Sequence, residues 1–173
     1  MRLAAAFVAG LGLASPALAA GPFTFSSIDG GSLSSADWAG HPVLVVNTAS
    51  MCGYAPQFAD MQDLQDRYAA AGLIVLAVPS DDFRQELGTA KEVKEYCDLN
   101  YDLSLPMTDI NHVTGAKAHP FYQWVRAETG FVPGWNFNKV LIAPDGSVAG
   151  TWGAGVKPGS AAIAGKIDAL LTQ

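Results

Sequence analysis

Apolar residues along this chain follow two rhythms, and the order in which they alternate predicts a fold. Val43, Leu44, Val45 and Val46 open a near-continuous apolar run that reaches Ala49, the pattern of a strand covered on both faces in a parallel sheet. From Gln57 to Ala71, the residues Phe58, Met61, Leu64, Tyr68 and Ala71 recur every three or four positions and describe one face of a helix. Gly72 ends that helix. Leu73 to Val78 reads as a second buried strand, so 43–78 is a strand-helix-strand unit with a right-handed, parallel connection. Thr89, with Glu92 three residues on, is a capping box that starts a helix running to about Leu99. Another helix covers Ala118 to Glu128. Lys139 to Ala143 and Val148 to Trp152 flank Pro144-Asp145-Gly146, a turn between antiparallel strands. Ser160 caps a last helix that turns Ile163, Ile167, Leu170 and Leu171 inward. Ahead of all this, Phe23-Thr24-Phe25 and the Gly30-Gly31 turn predict a short hairpin.

A strand-helix-strand half, then a helix, a hairpin and a closing helix, is the thioredoxin-like order of elements. The expected fold is α/β, with a central mixed sheet flanked by helices and preceded by an N-terminal β-hairpin. In open sheets of this kind, chemistry gathers at the carboxyl ends of the parallel strands. Cys52 lies just past one such end and ahead of a helix, and Gln85 lies in the loop after the other. The element order therefore brings both to one rim.

Length and composition narrow the picture. The chain has 173 residues, half of them hydrophobic, enough for one core and short for two. Residues 1–19 read as a signal peptide: Met1-Arg2, a modest apolar stretch from Leu3 to Ala14, and small residues before a cut after Ala19. An anchoring span needs about 18 or more strongly apolar residues, so no stable membrane anchor is expected. That leaves 20–173 as a single domain of an exported protein, periplasmic or secreted. Sixteen acidic residues against ten basic ones give a net charge of −6, which disfavours nucleic acid and anionic membranes as partners. His41, His112 and His119 lack metal-site spacing, and there is no Gly-rich phosphate loop. Neither a metal nor a bound cofactor is expected.

The candidate chemistry rests on two cysteines. Cys52 follows Asn47-Thr48-Ala49-Ser50-Met51, and the other cysteine, Cys97, lies in Glu95-Tyr96-Cys97-Asp98 near the end of a predicted helix. A thiolate is the reactive form of cysteine. Backbone N–H groups at a helix start favour such an anion. Gln85, Trp135 and Asn136 supply uncharged N–H donors that would add to this if they converge on the sulfur. Such a ring suits peroxide reduction: the thiolate takes one oxygen as the O–O bond breaks, and the donors stabilise the charge on the oxygen that leaves. The resulting sulfenic acid condenses with a second thiol, and Cys97 is the internal candidate. Two cysteines in an exported protein are equally a structural disulfide, and the same pair would serve a non-catalytic redox sensor. Ala55 denies the chain a Cys-x-x-Cys motif, which weakens a protein thiol-disulfide oxidoreductase reading.

The residues resemble the glutathione peroxidase family from about Phe23 onward. Asn47-Thr48-Ala49-Ser50-Met51-Cys52-Gly53, continued by Tyr54-Ala55-Pro56-Gln57, is similar to the family segment around the peroxidatic residue. Phe83-Arg84-Gln85-Glu86-Leu87-Gly88 resembles the active-site glutamine segment, and Gly134-Trp135-Asn136-Phe137-Asn138-Lys139 the Trp-Asn-Phe segment. The resemblance implies Cys52 as peroxidatic thiol, supported by Gln85, Trp135 and Asn136. Cys97-Asp98-Leu99-Asn100-Tyr101 resembles the resolving segment of the non-selenium, two-cysteine branch, which implies Cys97 as resolving thiol. It further implies a hydroperoxide substrate, a thioredoxin-like reductant or glutathione, and, from the short segment between Val125 and Trp135, a monomer. One loop departs: Val78-Pro79-Ser80-Asp81-Asp82-Phe83 replaces the usual Phe-Pro-Cys-Asn-Gln-Phe, the chain is one residue short around Arg84, and Leu87 replaces a proline. Asp81 and Asp82 are expected to face solvent, since inward carboxylates would oppose a thiolate.

Overall fold

The computed structural model describes residues 21–172. The leader read over 1–19 lies outside the described residues.

Strands β3 (Val43–Thr48), β4 (Ile74–Pro79), β5 (Lys139–Ile142) and β6 (Val148–Trp152) form one sheet in the order β4-β3-β5-β6. β3 and β4 run parallel, whereas the β3/β5 and β5/β6 pairs are antiparallel. The sheet is thus mixed, as the element order implies. A separate hairpin, β1 (Thr24–Ser26) with β2 (Ser32–Ser34), turns through Gly30 and Gly31, both at positive φ.

Helix α1 (Gln57–Tyr68) stops earlier than the periodicity suggests. Residues 69–71 tighten into a 3₁₀ turn and Ala71 is exposed, before Gly72 reverses the chain at φ +99. Helix α2 (Ala90–Tyr101) starts at Thr89, whose Oγ1 accepts the Glu92 N–H and donates to the Glu92 carboxylate. α3 spans Pro120–Thr129 and α4 Ala161–Leu171. Ser160 occupies the N-cap position of α4 in extended conformation, but its hydroxyl makes no capping bond, a departure from the sequence reading. Ile163 and Ile167 are fully buried while Leu170 and Leu171 are only partly so.

Both faces of the sheet are covered, which explains the unbroken apolar run of β3. Leu44, Val46, Val75, Ala77 and Leu141 pack with Phe58, Met61 and Leu64 of α1, Val93 and Cys97 of α2, and Ile163 and Ile167 of α4. Val43, Val45, Leu76, Val78, Val140 and Ile142 pack on the other side with Phe121, Tyr122 and Val125 of α3 and with Phe23 and Phe25 of the hairpin. The strands are thus fixed rigidly, and their carboxyl ends deliver loops to defined places.

Candidate active site

β3 ends at Thr48 and passes through Ser50-Met51-Cys52-Gly53 before α1 begins. Cys52 keeps 6% of its surface exposed and its thiol is free. The Tyr54 N–H donates to Cys52 Sγ at 3.4 Å. The turn ahead of α1 therefore aims a main-chain hydrogen at the sulfur, as helix starts do for anions.

Two further segments are tied to this turn. The Met51 N–H donates to the Gln85 carbonyl at 2.9 Å, and the Ser50 N–H to Glu86 Oε1 at 2.9 Å, so the loop after β4 is stitched to the residues beside Cys52. Asn47 holds the third segment. Its Nδ2 donates to the Trp135 carbonyl at 3.0 Å and its Oδ1 accepts the Asn138 N–H at 3.0 Å. Asn136 Nδ2 then donates to Gln85 Oε1 at 3.0 Å. Arg84 and Phe137, which flank Gln85 and Asn136, sit at φ 58 and 59. Positive φ is uncommon for such side chains and is held only where the surroundings over-determine it. In the shortened loop, the Arg84 N–H closes a tight turn on the Asp81 carbonyl at 2.9 Å.

Cys52, Gln85 and Asn136 thus meet at one rim, with Trp135 beside them. Trp135 is 42% exposed and its ring lies 5.4 Å from that of Phe83. Among the described residues, the hydrogen bond that reaches Sγ is the one from Tyr54; none comes from the Gln85, Trp135 or Asn136 side chains. The physical reason is visible for Asn136, whose Nδ2 is directed to Gln85 Oε1 instead. Catalytic hydrogen bonds commonly tighten only when substrate is present.

Cys97 lies in α2, 1% exposed and also free. Burial first, then the carboxylates of Glu86 and Asp98, push its pKa up to about 12 against the pull of Lys94. It joins the same buried cluster as Cys52, but no bond links them.

Asp82 departs from the sequence expectation. Asp81 is exposed, but Asp82 turns inward, its Oδ1 2.6 Å from His112 Nδ1 and its Oδ2 accepting the N–H groups of Val113 and Thr114 at 2.7 and 2.9 Å. Burial alone would raise its pKa; these donors outweigh it and hold the carboxyl below its ordinary value.

Two charged residues escaped the sequence reading. Glu86 is half-buried at the rim, and burial raises its pKa. Lys139 is fully buried in β5, donating to Gln57 Oε1 and to the Ala154 carbonyl. Burial lowers its pKa to about 8 despite the nearby Asp60 carboxylate. Lys139 shares the sheet face of Leu141, the face that α1 covers, and that parity was the available signal.

The glutathione peroxidase family model matches residues 22–126. A protein of Lactococcus lactis named glutathione peroxidase is 40% identical over 131 residues, spanning 73% of this chain and 83% of that protein. The chain belongs to the glutathione peroxidase family. A hydroperoxy fatty acid reductase of Synechocystis is 34% identical, covering 86% of this chain and 94% of its own. Among solved structures, that of Trgpx in apo form is 26% identical with a TM-score of 0.69, covering 87% and 94% of the two chains. A thiol:disulfide interchange protein of the thioredoxin family from Chlorobium tepidum, 20% identical with a TM-score of 0.67 and covering 91% and 99%, confirms the thioredoxin-like fold alone. The chain is accordingly a peroxidase, and its two free cysteines fit the two-cysteine branch of the family.

Proposed function

We propose that this peroxidase reduces organic hydroperoxides, with hydrogen peroxide as a smaller substrate, through a sulfenic acid on Cys52. The Cys52 thiolate attacks the terminal peroxide oxygen, the O–O bond breaks, and the second oxygen leaves as alcohol or water once protonated. Gln85 Nε2, the Trp135 indole N–H and the Tyr54 N–H are the donors toward the charge that develops. Cys97 then attacks the Cys52 sulfenic acid, and a thioredoxin-like protein or glutathione reduces the disulfide by exchange.

The observation that carries this reading is the convergence of three separate segments at Cys52, through the Met51–Gln85 and Asn136–Gln85 hydrogen bonds. The preference for organic hydroperoxides is supported by the rim itself. Met51 and Tyr54, the immediate neighbours of the Cys52 turn, and Trp135 are exposed apolar side chains, a surface that favours an alkyl chain over water. The likeness to two hydroperoxy fatty acid reductases of Synechocystis agrees with it.

Disulfide formation needs the two alpha carbons within about 7 Å, yet Cys97 is buried in an intact helix. The last turns of α2 therefore unwind during turnover. The protein acts as an exported monomer once residues 1–19 are removed. Peroxide consumption by purified protein with a thiol reductant tests the core of the reading. Cys52→Ser abolishes turnover, and Cys97→Ser keeps partial turnover supported by glutathione. An inert disulfide resistant to millimolar thiol would favour the structural-staple alternative. Equal hydrogen exchange of residues 90–101 in the reduced and oxidised forms would refute the unwinding.

A further inference from the structure

A cavity of about 420 Å³ lies between the loop ahead of α3, helix α3 itself and Val132. That volume is in the range that holds small molecules. Two links tie it to the rim that carries Cys52. Val113 and Thr114 line the cavity, and their N–H groups donate to Asp82 Oδ2 at 2.7 and 2.9 Å. Asp82 precedes Phe83, whose ring lies 5.4 Å from that of Trp135. Val132 also lines the cavity, three residues before Trp135, so their alpha carbons are at most about 11 Å apart.

The cavity combines an apolar wall with unpaired donors. Val113 and Ala118 are buried, and Val132 keeps 40% of its surface exposed. Arg126 lines the cavity, is exposed, and makes no ion pair or side-chain hydrogen bond among the described residues. Lys117, exposed between the lining residues Ala116 and Ala118, is likewise without an ion pair. Tyr122 belongs to the buried part of the wall, and its hydroxyl has no hydrogen-bond partner among the described residues, although a buried phenol usually finds one. No carboxylate lines the cavity. Asp82, bonded to its wall, has one oxygen at His112 and the other on the Val113 and Thr114 N–H groups. In a chain of net charge −6, this spot therefore offers free cations and a free hydroxyl beside apolar surface. A guanidinium matches a carboxylate in shape and charge, and the apolar wall matches an alkyl chain.

We propose that this cavity binds the carboxylate end of a free fatty acid hydroperoxide, with Arg126 as its ion-pair partner and the Tyr122 hydroxyl as a neutral donor from the buried wall. This rests on the reading of Cys52 as the thiol that reduces organic hydroperoxides. The alkyl chain leaves the cavity over Val132 and crosses Phe83 and Trp135, which brings the peroxide group to Cys52. An ester of the same acid has the chain but no charge for Arg126 to meet, so the site favours the free acid over the ester.

Steady-state reduction of linoleic acid hydroperoxide and of its methyl ester, each below the concentration at which it aggregates, measures the effect in wild type, Arg126→Gln and Tyr122→Phe. Wild type has a kcat/KM about tenfold higher for the free acid, the difference residing in KM. Arg126→Gln removes most of that gap, Tyr122→Phe narrows it about threefold, and added salt shrinks it in wild type. Without the site, the net charge of the protein would repel the acid and make the ester the better substrate. Equal kcat/KM for acid and ester in wild type overturns the proposal, as does a gap that Arg126→Gln leaves intact; a gap untouched by Tyr122→Phe overturns the role of its hydroxyl. Peroxidised phosphatidylcholine reduced as well as the free acid also overturns it, since recognition would then run through the chain alone. Quenching of tryptophan fluorescence by linoleate reads the site without turnover: Arg126→Gln binds about tenfold more weakly than wild type, and equal affinity overturns the proposal. Failure of wild type to reduce any hydroperoxide while linoleate still binds through Arg126 overturns the underlying peroxidase reading instead.

Discussion

Replacing Lys139 by methionine isolates the energetics of a charge buried beside the catalytic scaffold. Lys139 is wholly inside the protein, and its pKa falls from 10.5 to about 8. Between those values the unfolded chain binds more protons than the folded one, so this group makes the wild type more stable as pH rises through that window. At pH 7 the charged lysine is disfavoured by about 3 kcal/mol, and by pH 10 all but about 0.8 kcal/mol of that has gone, a change of about 2.5 kcal/mol. Methionine matches the volume, carries no charge, and leaves Gln57 Oε1 without its donor, which costs about 1–3 kcal/mol at any pH. At pH 7 the relieved charge penalty matches or exceeds that cost, so Lys139→Met is at least as stable as the wild type there, and by pH 10 the balance has moved by about 2.5 kcal/mol against the variant, whatever the cost of the lost donor. Equilibrium urea unfolding of both proteins under reducing conditions measures this. Alkaline titration of Tyr96 and Cys97, whose pKa values are raised by burial, pulls the other way, but it is common to both proteins and drops out of the difference. A wild-type-minus-variant difference that is the same at both pH values refutes the reasoning.

Three other perturbations have defined outcomes. Asn47→Leu leaves the buried Asn138 N–H without its acceptor and removes one of two donors from the Trp135 carbonyl; we expect a loss of about 3 kcal/mol in urea unfolding and a larger proportional loss of peroxidase activity, as the Trp135-Asn136 segment loosens. Asp82→Asn removes the charge that holds His112 and the 113–114 backbone and costs about 2 kcal/mol at pH 7. Because the Asp82 pKa is lowered on folding, that contribution is present above the ordinary carboxylate range and fades as pH falls through it, so wild type and variant converge in acid; constant separation down to pH about 2 contradicts the assignment. His119 is neutral in the fold, its Nδ1 accepting the Phe121 N–H and its Nε2 donating to the Thr24 carbonyl, and burial lowers its pKa. Its contribution is complete above about pH 6.5 and is lost as pH drops below, so hydrogen exchange in 24–34 speeds up between pH 7 and pH 5 in the wild type and much less in His119→Gln.

What could be read from the chain and what could not divide along a physical line. The strand-helix-strand unit was legible because burial on both sheet faces writes itself as a run of apolar residues at 43–46, and burial of one helix face as spacing at Phe58, Met61 and Leu64. Cys52 and Gln85 were placed at one rim by topology alone, since both follow parallel strands. The buried polar interactions around the site have no such local imprint. A lysine at the head of a strand ordinarily reaches solvent, and Lys139 stays inside because Gln57, 82 residues away, and the Ala154 carbonyl present oxygens to it. Asp82 next to Asp81 reads as a solvated pair until the loop at 112–114 supplies three donors to one of them. Glu86 is the sharpest case. In sequence it is an acidic residue in a polar loop, and only the meeting of that loop with Ser50 draws it partly out of water. Polar groups gain their roles from partners distant along the chain, so they are legible only after the apolar pattern has folded the chain and brought those partners together.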